Sequence, residues 1–247
     1  MGYMDNTTAF PPLKPSCVLG IAAHPDDLDF GSSGTIARFV SEGARACYLI
    51  ITDGSKGSAD ESITSEGLIK LRQAEQQAAA QVLGVKEVVF LNYEDGALEV
   101  TQALKKDIVR VIRQLAPDLV ITMDPSMLYY AARGFINHPD HRAAGQAVLD
   151  AIYPLARDRL SFPDLLASEG LRPHKVKTVL LTNFEEQNYF VDISSTIEQK
   201  MSALAAHTSQ MPHLEETQAM MRQIAAQAGR HVGGQYAEGF LRLDIAD

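Results

Sequence analysis

The chain has 247 residues and a mass of 27.0 kDa, with 46% hydrophobic and 21% charged residues. That balance excludes a disordered chain, a fibrous repeat and a disulfide scaffold. Asp and Glu number 31 against 22 Lys and Arg, a formal net charge of −9, which argues against non-specific binding to nucleic acid or anionic membranes.

In chain order, residues 1–15 carry Asp5 and three prolines, Pro11, Pro12 and Pro15. A secretion signal would need an apolar core there, so this stretch reads as a loosely held lead-in and the protein as cytoplasmic. Residues 16–247 read as one domain. Short apolar runs predict strands at Cys17–Ala23, Ala46–Thr52, Glu87–Asn92, Asp118–Met123, Thr178–Thr182 and Tyr189–Ile193. Helical patterns lie between them. Ser33–Glu42 stops at Gly43 and Thr64–Leu83 at Gly84, both plausible capping glycines. Glu99–Leu115 stops before Pro117, and His141–Arg157, Ser195–His207 and His213–Ala228 come after it. Strands alternating with helices, each strand nearly all apolar, predict a three-layer α/β/α domain around a mostly parallel, Rossmann-like sheet. No stretch approaches the ~20 apolar residues that cross a bilayer. Cys17 and Cys47 sit in apolar runs and read as buried core thiols.

In such a sheet the functional loops lie at the strands' carboxyl ends. The loop after the first strand reads Ala23-His24-Pro25-Asp26-Asp27-Leu28-Asp29. Three carboxylates so close repel one another unless a positive charge sits among them, and a bound cation supplies more of it than a helix dipole does. His24 with Asp27 therefore reads as a metal pair, and Asp29 as a helix cap or a supporting residue. A second His-Pro-Asp cluster, Asn137-His138-Pro139-Asp140-His141, stands where another helix begins. Either cluster alone could be a simple helix start; together they point to a catalytic metal site of three protein ligands plus water. Imidazole and carboxylate donors without Cys favour Zn²⁺, with Fe²⁺, Mn²⁺ or Co²⁺ as alternatives.

The two clusters resemble the signature of the LmbE-like, or PIG-L-type, de-N-acetylases. Weaker likenesses extend it over roughly residues 17–241: Thr52-Asp53-Gly54, Arg72 with Glu75, Asp95-Gly96-Ala97-Leu98, Lys200 with His207, Ser209 and Gln210, and Ala237-Glu238-Gly239-Phe240. The resemblance implies that His24, Asp27 and His141 hold zinc and that Asp26 is the general base toward the attacking water. It also implies that His138 steadies the oxyanion or protonates the leaving amine, with Asp140 orienting His138. The activity implied is removal of the acetyl group from an N-acetylglucosamine-type sugar. The partners implied are a small N-acetylated substrate and other copies of the chain, as a trimer or hexamer, with no nucleic acid and no membrane.

Arg72 and Asp53 are the expected substrate contacts, against a surface ion pair with Glu75 and a turn residue as the plainer readings. His207 reads as a packed structural histidine. Tyr129, Tyr130 and Arg133 precede the second cluster. Some family members place an oxyanion-donating Tyr where this chain has Ile136, so Tyr130 is the expected substitute. Other functions that the same residues would serve are hydrolysis of another amide, such as a cysteine conjugate, metal binding without catalysis, and phosphoester hydrolysis. The last would need two metals about 3.5–4 Å apart.

Overall fold

A computed structural model describes residues 10–131, 134–183 and 185–246. A seven-stranded sheet forms the middle layer, in the order β3 (Glu87–Tyr93), β2 (Arg45–Thr52), β1 (Cys17–Ala22), β4 (Leu119–Met123), β7 (Thr178–Thr182), β9 (Ala237–Asp244), β8 (Tyr189–Asp192). The first five run parallel, and β9 is antiparallel to both neighbours. A two-stranded hairpin, β5 (Tyr129–Tyr130) with β6 (Phe135–Ile136), stands apart. The predicted three-layer, mostly parallel architecture is the observed one.

Strand side chains alternate between the two faces. On one face Val18, Ala22, Tyr48 and Ile50 pack under α2 (Ser33–Ser41), α3 (Ser65–Leu83) and α7 (Ile197–Ala206). On the other, Leu19, Ile21, Cys47, Leu49 and Ile51 pack under α4 (Gln102–Leu115) and α5 (Pro139–Asp150). Both cysteines are buried and unpaired. Helix α3 has Thr64 as N-cap, accepting from the Gly67 N–H, and ends on Gly84 at φ +75°. Short α1 (Asp27–Gly31) leads into α2, and α6 (Pro163–Glu169) and the long α8 (Leu214–Gly229) lie later in the chain. Among the described residues no helix is long and apolar enough to cross a membrane.

Three expectations change. Ala237–Asp244 is a full strand inside the sheet. The helix expected over His141–Arg157 begins two residues earlier, at Pro139, because proline suits the first helical position and the His138 side chain caps it; its regular part ends at Asp150, before Pro154. Residues 10–15 are not loose: Pro11 O accepts from Arg242, and the Leu13 N–H donates to the Tyr189 hydroxyl.

The chain runs outward through β1, β2 and β3, then returns to continue from β4 on the other side of β1. The sheet's topological switch therefore lies between β1 and β4, where doubly wound sheets open a crevice at their carboxyl ends. The loops after β1 and β4 carry the two His-Pro-Asp clusters. Helix α5 reaches this crevice because Gly145 lets it lie close on the end of β4. A Cβ there would stand 2.4 Å from the Met123 carbonyl oxygen.

Candidate metal centre

His24 and Asp140, one from each cluster, are 116 residues apart in sequence and meet at the switch point. His24 and His138 rings have centroids 4.7 Å apart, His24 and His141 5.2 Å, and His138 and His141 5.3 Å. Ligand atoms of His24, His138 and His141 all lie within 4.8 Å of one another, as do those of His24, Asp95, His138 and Asp140.

Each ring is oriented by its other nitrogen. The His24 Nε2 faces Asp140 Oδ2 and Asp95 Oδ1, both at 3.2 Å, leaving Nδ1 turned to Asp27 Oδ2 at 3.3 Å. His141 Nδ1 donates to Asn137 Oδ1 at 3.2 Å, and the Asn137 amide is itself held on Met127 O. His141 Nε2 is thereby left facing Asp27 Oδ1 at 3.1 Å. A carboxylate or amide oxygen behind each imidazole is the usual support of metal-binding histidines. Tetrahedral zinc at about 2.0–2.2 Å from its ligands sets them about 3.4 Å apart, close to the 3.1 and 3.3 Å seen here. The residues present fit a metal ion.

Asp95 and Asp140 are already committed to backbone donors. Asp140 takes the N–H groups of Gly96 and Leu98, and Asp95 takes that of Lys56. Asp27 takes the His24 N–H at 2.7 Å as well as facing both rings. Burial opposes its charge, but His141 and His24 more than compensate and hold its carboxyl well below the usual range. Burial also pulls the His24 imidazole down, yet Asp140, Asp27 and Asp95 together push it up to about 12. The pocket demands positive charge.

Asp26 is as buried as Asp27 but differs in its partners and its proton affinity. Burial and the neighbouring Asp27 push it up to about 7, against the pull of Arg72, His207 and His24. Its backbone lies at φ +94°, a region non-glycine residues seldom enter. His138 accepts the Asp140 N–H on Nδ1 at 3.2 Å, so its Nε2 carries the proton and is a donor. Burial and the charge of His24 keep this imidazole below its ordinary pKa, hence neutral.

Several expected roles shift. The Asp140 carboxylate bonds His24, whereas His138 takes the Asp140 backbone N–H. Arg72 is 5% exposed. Its guanidinium donates to Pro25 O and Lys56 O, with Asp26 Oδ2 at 3.5 Å and Asp95 Oδ2 at 3.7 Å, while its buried Nε has no partner. It ties the loops after β1 and β2 together. Glu75 is buried too, and binds Thr208 and Ser209 instead of Arg72. Asp53 Oδ1 accepts from Ser55 and Asp95 N–H groups, shaping the turn that presents Asp95. Tyr130 is buried in the hairpin opposite Phe135, while Ile136 is 78% exposed. Arg133 lies outside the described residues. Sequence reasoning did not single out Asp95 or Gln76 as site residues. The signal for Asp95 was its position just past the carboxyl end of β3, where the sheet's functional loops lie.

The chain matches the PIG-L family, described as GlcNAc-PI de-N-acetylase, over residues 19–152. It is 37% identical over 224 residues to the diacetylchitobiose deacetylase of Thermococcus kodakarensis, covering 90% of this chain and 81% of that one. The chain belongs to the PIG-L, or LmbE-like, family of de-N-acetylases. A second relative is the probable N-acetyl-alpha-D-glucosaminyl L-malate deacetylase 2 of Bacillus anthracis, 28% identical over 78% of this chain and 80% of its own. Among solved structures, the N,N'-diacetylchitobiose deacetylase of Pyrococcus horikoshii superposes with a TM-score of 0.85 at 32% identity, covering 93% of this chain and 84% of that one. The PIG-L match spans both His-Pro-Asp clusters and the sheet strands between them.

Proposed function

We propose that this chain is a zinc-dependent N-deacetylase that converts an N-acetylglucosamine unit of a small glycan or glycoconjugate to the free amine, releasing acetate. The observation that carries this reading is the different placement of two adjacent carboxylates: Asp27 lies within 3.3 Å of two imidazoles, whereas Asp26 faces Arg72 at 3.5 Å. A purely structural zinc site is closed by four protein ligands; here His24, Asp27 and His141 would supply three, with Asp26 beside them as the base.

His24 Nδ1, Asp27 and His141 Nε2 would hold the ion. Bound zinc supplies a Lewis acid and lowers the pKa of its water toward about 7. Asp26 takes the proton of the attacking water. Its raised affinity for protons suits it to keep that proton and pass it to the leaving nitrogen, so one carboxyl serves as base and then as acid. The neutral His138 donates from Nε2 to the acetamide carbonyl oxygen as negative charge grows there. Arg72, 3.5 Å from Asp26 Oδ2, limits the rise in its pKa so that the base is ionised near neutrality. Water adds across the amide C–N bond; acetate and a primary amine leave.

The Bacillus relative is named for an N-acetyl-alpha-D-glucosaminyl substrate and the Thermococcus relative for diacetylchitobiose, which supports an N-acetylated glucosamine as the group recognised. The test is to incubate the zinc-loaded protein with diacetylchitobiose, an N-acetylglucosaminyl malate and N-acetylcysteine, measuring amine and acetate. Equal amounts of both products from a sugar are expected. Turnover of the cysteine amide alone, or of none, contradicts the proposal.

A further inference from the structure

Asp26 owes its position to a backbone conformation that needs support. At φ +94° and ψ −33° it turns the chain from β1 into α1, and its side chain makes no cap bond to the helix. The residue is held by its own N–H, which donates to Gln76 Oε1 at 2.9 Å. Gln76 is fully buried on α3. Its Nε2 donates to Asp29 Oδ2 at 2.8 Å. The same carboxylate oxygen meets His207 Nε2 at 2.8 Å, and both Asp29 and His207 are 0% exposed. The Tyr48 hydroxyl closes on Asp29 Oδ1 at 3.4 Å.

The direction of this chain of hydrogen bonds is fixed by chemistry. A backbone N–H only donates, so Gln76 must point its carbonyl at Asp26, which leaves its NH₂ for Asp29. His207, at the end of α7, holds Asp29 from the far side. Without an acceptor at position 76 the Asp26 N–H would be buried and unpaired, and the peptide would relax toward ordinary φ, swinging the carboxylate away. Asp27 does not depend on this link, because the His24 N–H and two imidazoles hold it independently. We infer that Gln76, oriented by Asp29 and His207, is a positioning residue that keeps Asp26 in its reactive geometry while leaving the metal ligands untouched. The inference rests on the proposal that Asp26 is the base.

The test is a double-mutant cycle on the zinc-loaded deacetylase, with zinc content read alongside. Gln76→Met, similar in size but unable to bond, should lower kcat roughly 10–100-fold, the scale of a displaced catalytic group. KM should stay within about twofold and zinc at one per chain. In an Asp26→Ala background the same change should lower kcat less than about twofold, since there is no carboxylate left to position. Asp29→Asn, which keeps its size and puts an amide where Gln76 and His207 meet a carboxylate, should lose about fivefold in kcat and likewise nothing in the Asp26→Ala background. It serves if Gln76→Met fails to fold. Unchanged kcat in both variants, or equal fold-losses in both backgrounds, overturns the inference while leaving Asp26 as base. A fully active Asp26→Ala overturns both.

Discussion

Two buried charged clusters sit within this one molecule, and they are built on opposite principles. Around Lys200, fully buried on α7, the charges are matched: the three ammonium protons go to Asp29 O, Phe30 O and Glu238 Oε1. Glu238 in turn accepts from the N–H groups of Gly34 and Thr35. That cluster is closed and needs nothing further. Around His24 the carboxylates of Asp27, Asp95 and Asp140 outnumber the cations facing them, and Asp26 stands adjacent with its proton affinity raised. The difference separates charge buried to tie elements together from charge buried to hold something that the chain does not supply. The closed cluster anchors α1, α2 and β9 to α7; the open one lies where α1 and α5 begin.

The comparison can be broken at several points. The largest effect belongs to the open cluster: Asp27→Ala removes the carboxylate shared by both imidazoles and should abolish zinc binding, lowering deacetylation by more than about a thousandfold, seen by product release. Asp26→Ala should lose at least ~100-fold in kcat, as measured by steady-state kinetics at saturating substrate. In the closed cluster the cost falls on folding. Lys200→Met leaves Glu238 as an uncompensated buried charge and should destabilise the protein by about 3–5 kcal/mol, measured by urea unfolding at fixed zinc, and Lys200→Met/Glu238→Gln should recover part of that. The smallest effect is on pH. Asp26 works as a base only when ionised, and its pKa is about 7 without metal; a neighbouring dication lowers it. Activity should therefore rise with pH through an acid limb below pH 7, up to about tenfold per unit, and Asp26→Asn should erase that limb in the kcat/KM profile.

The fold was legible wherever burial was uniform. Strands covered on both faces read as unbroken apolar runs, and β1, β2, β4 and β7 carry such runs. β9 escaped because Glu238 and Arg242 are buried in it through polar bonds, and Gly239 interrupts its pattern. Helix α1 has five residues, too few for a 3.6-residue period to show. The clustering of His24, His138, His141 and Asp140 was legible because these residues come in two short local motifs. Asp95 and Gln76 were not, since their importance lies in the groups they touch across the fold: Asp95 reaches His24 from the end of β3, and Gln76 reaches Asp26 and Asp29 from the middle of α3. Asp140 was read as the partner of His138, its neighbour in sequence, but the turn into α5 carries its carboxylate to His24 instead. Local spacing names a motif's members; only packing assigns their partners.

The central claim is that adjacent aspartates divide the work, Asp27 holding the ion and Asp26 moving the proton. Elemental analysis of zinc per chain in the wild type, Asp26→Ala and Asp27→Ala proteins, after dialysis against a trace of zinc, addresses it directly. One zinc, one zinc and none are expected. Zinc lost from Asp26→Ala, or retained in full by Asp27→Ala, would contradict it.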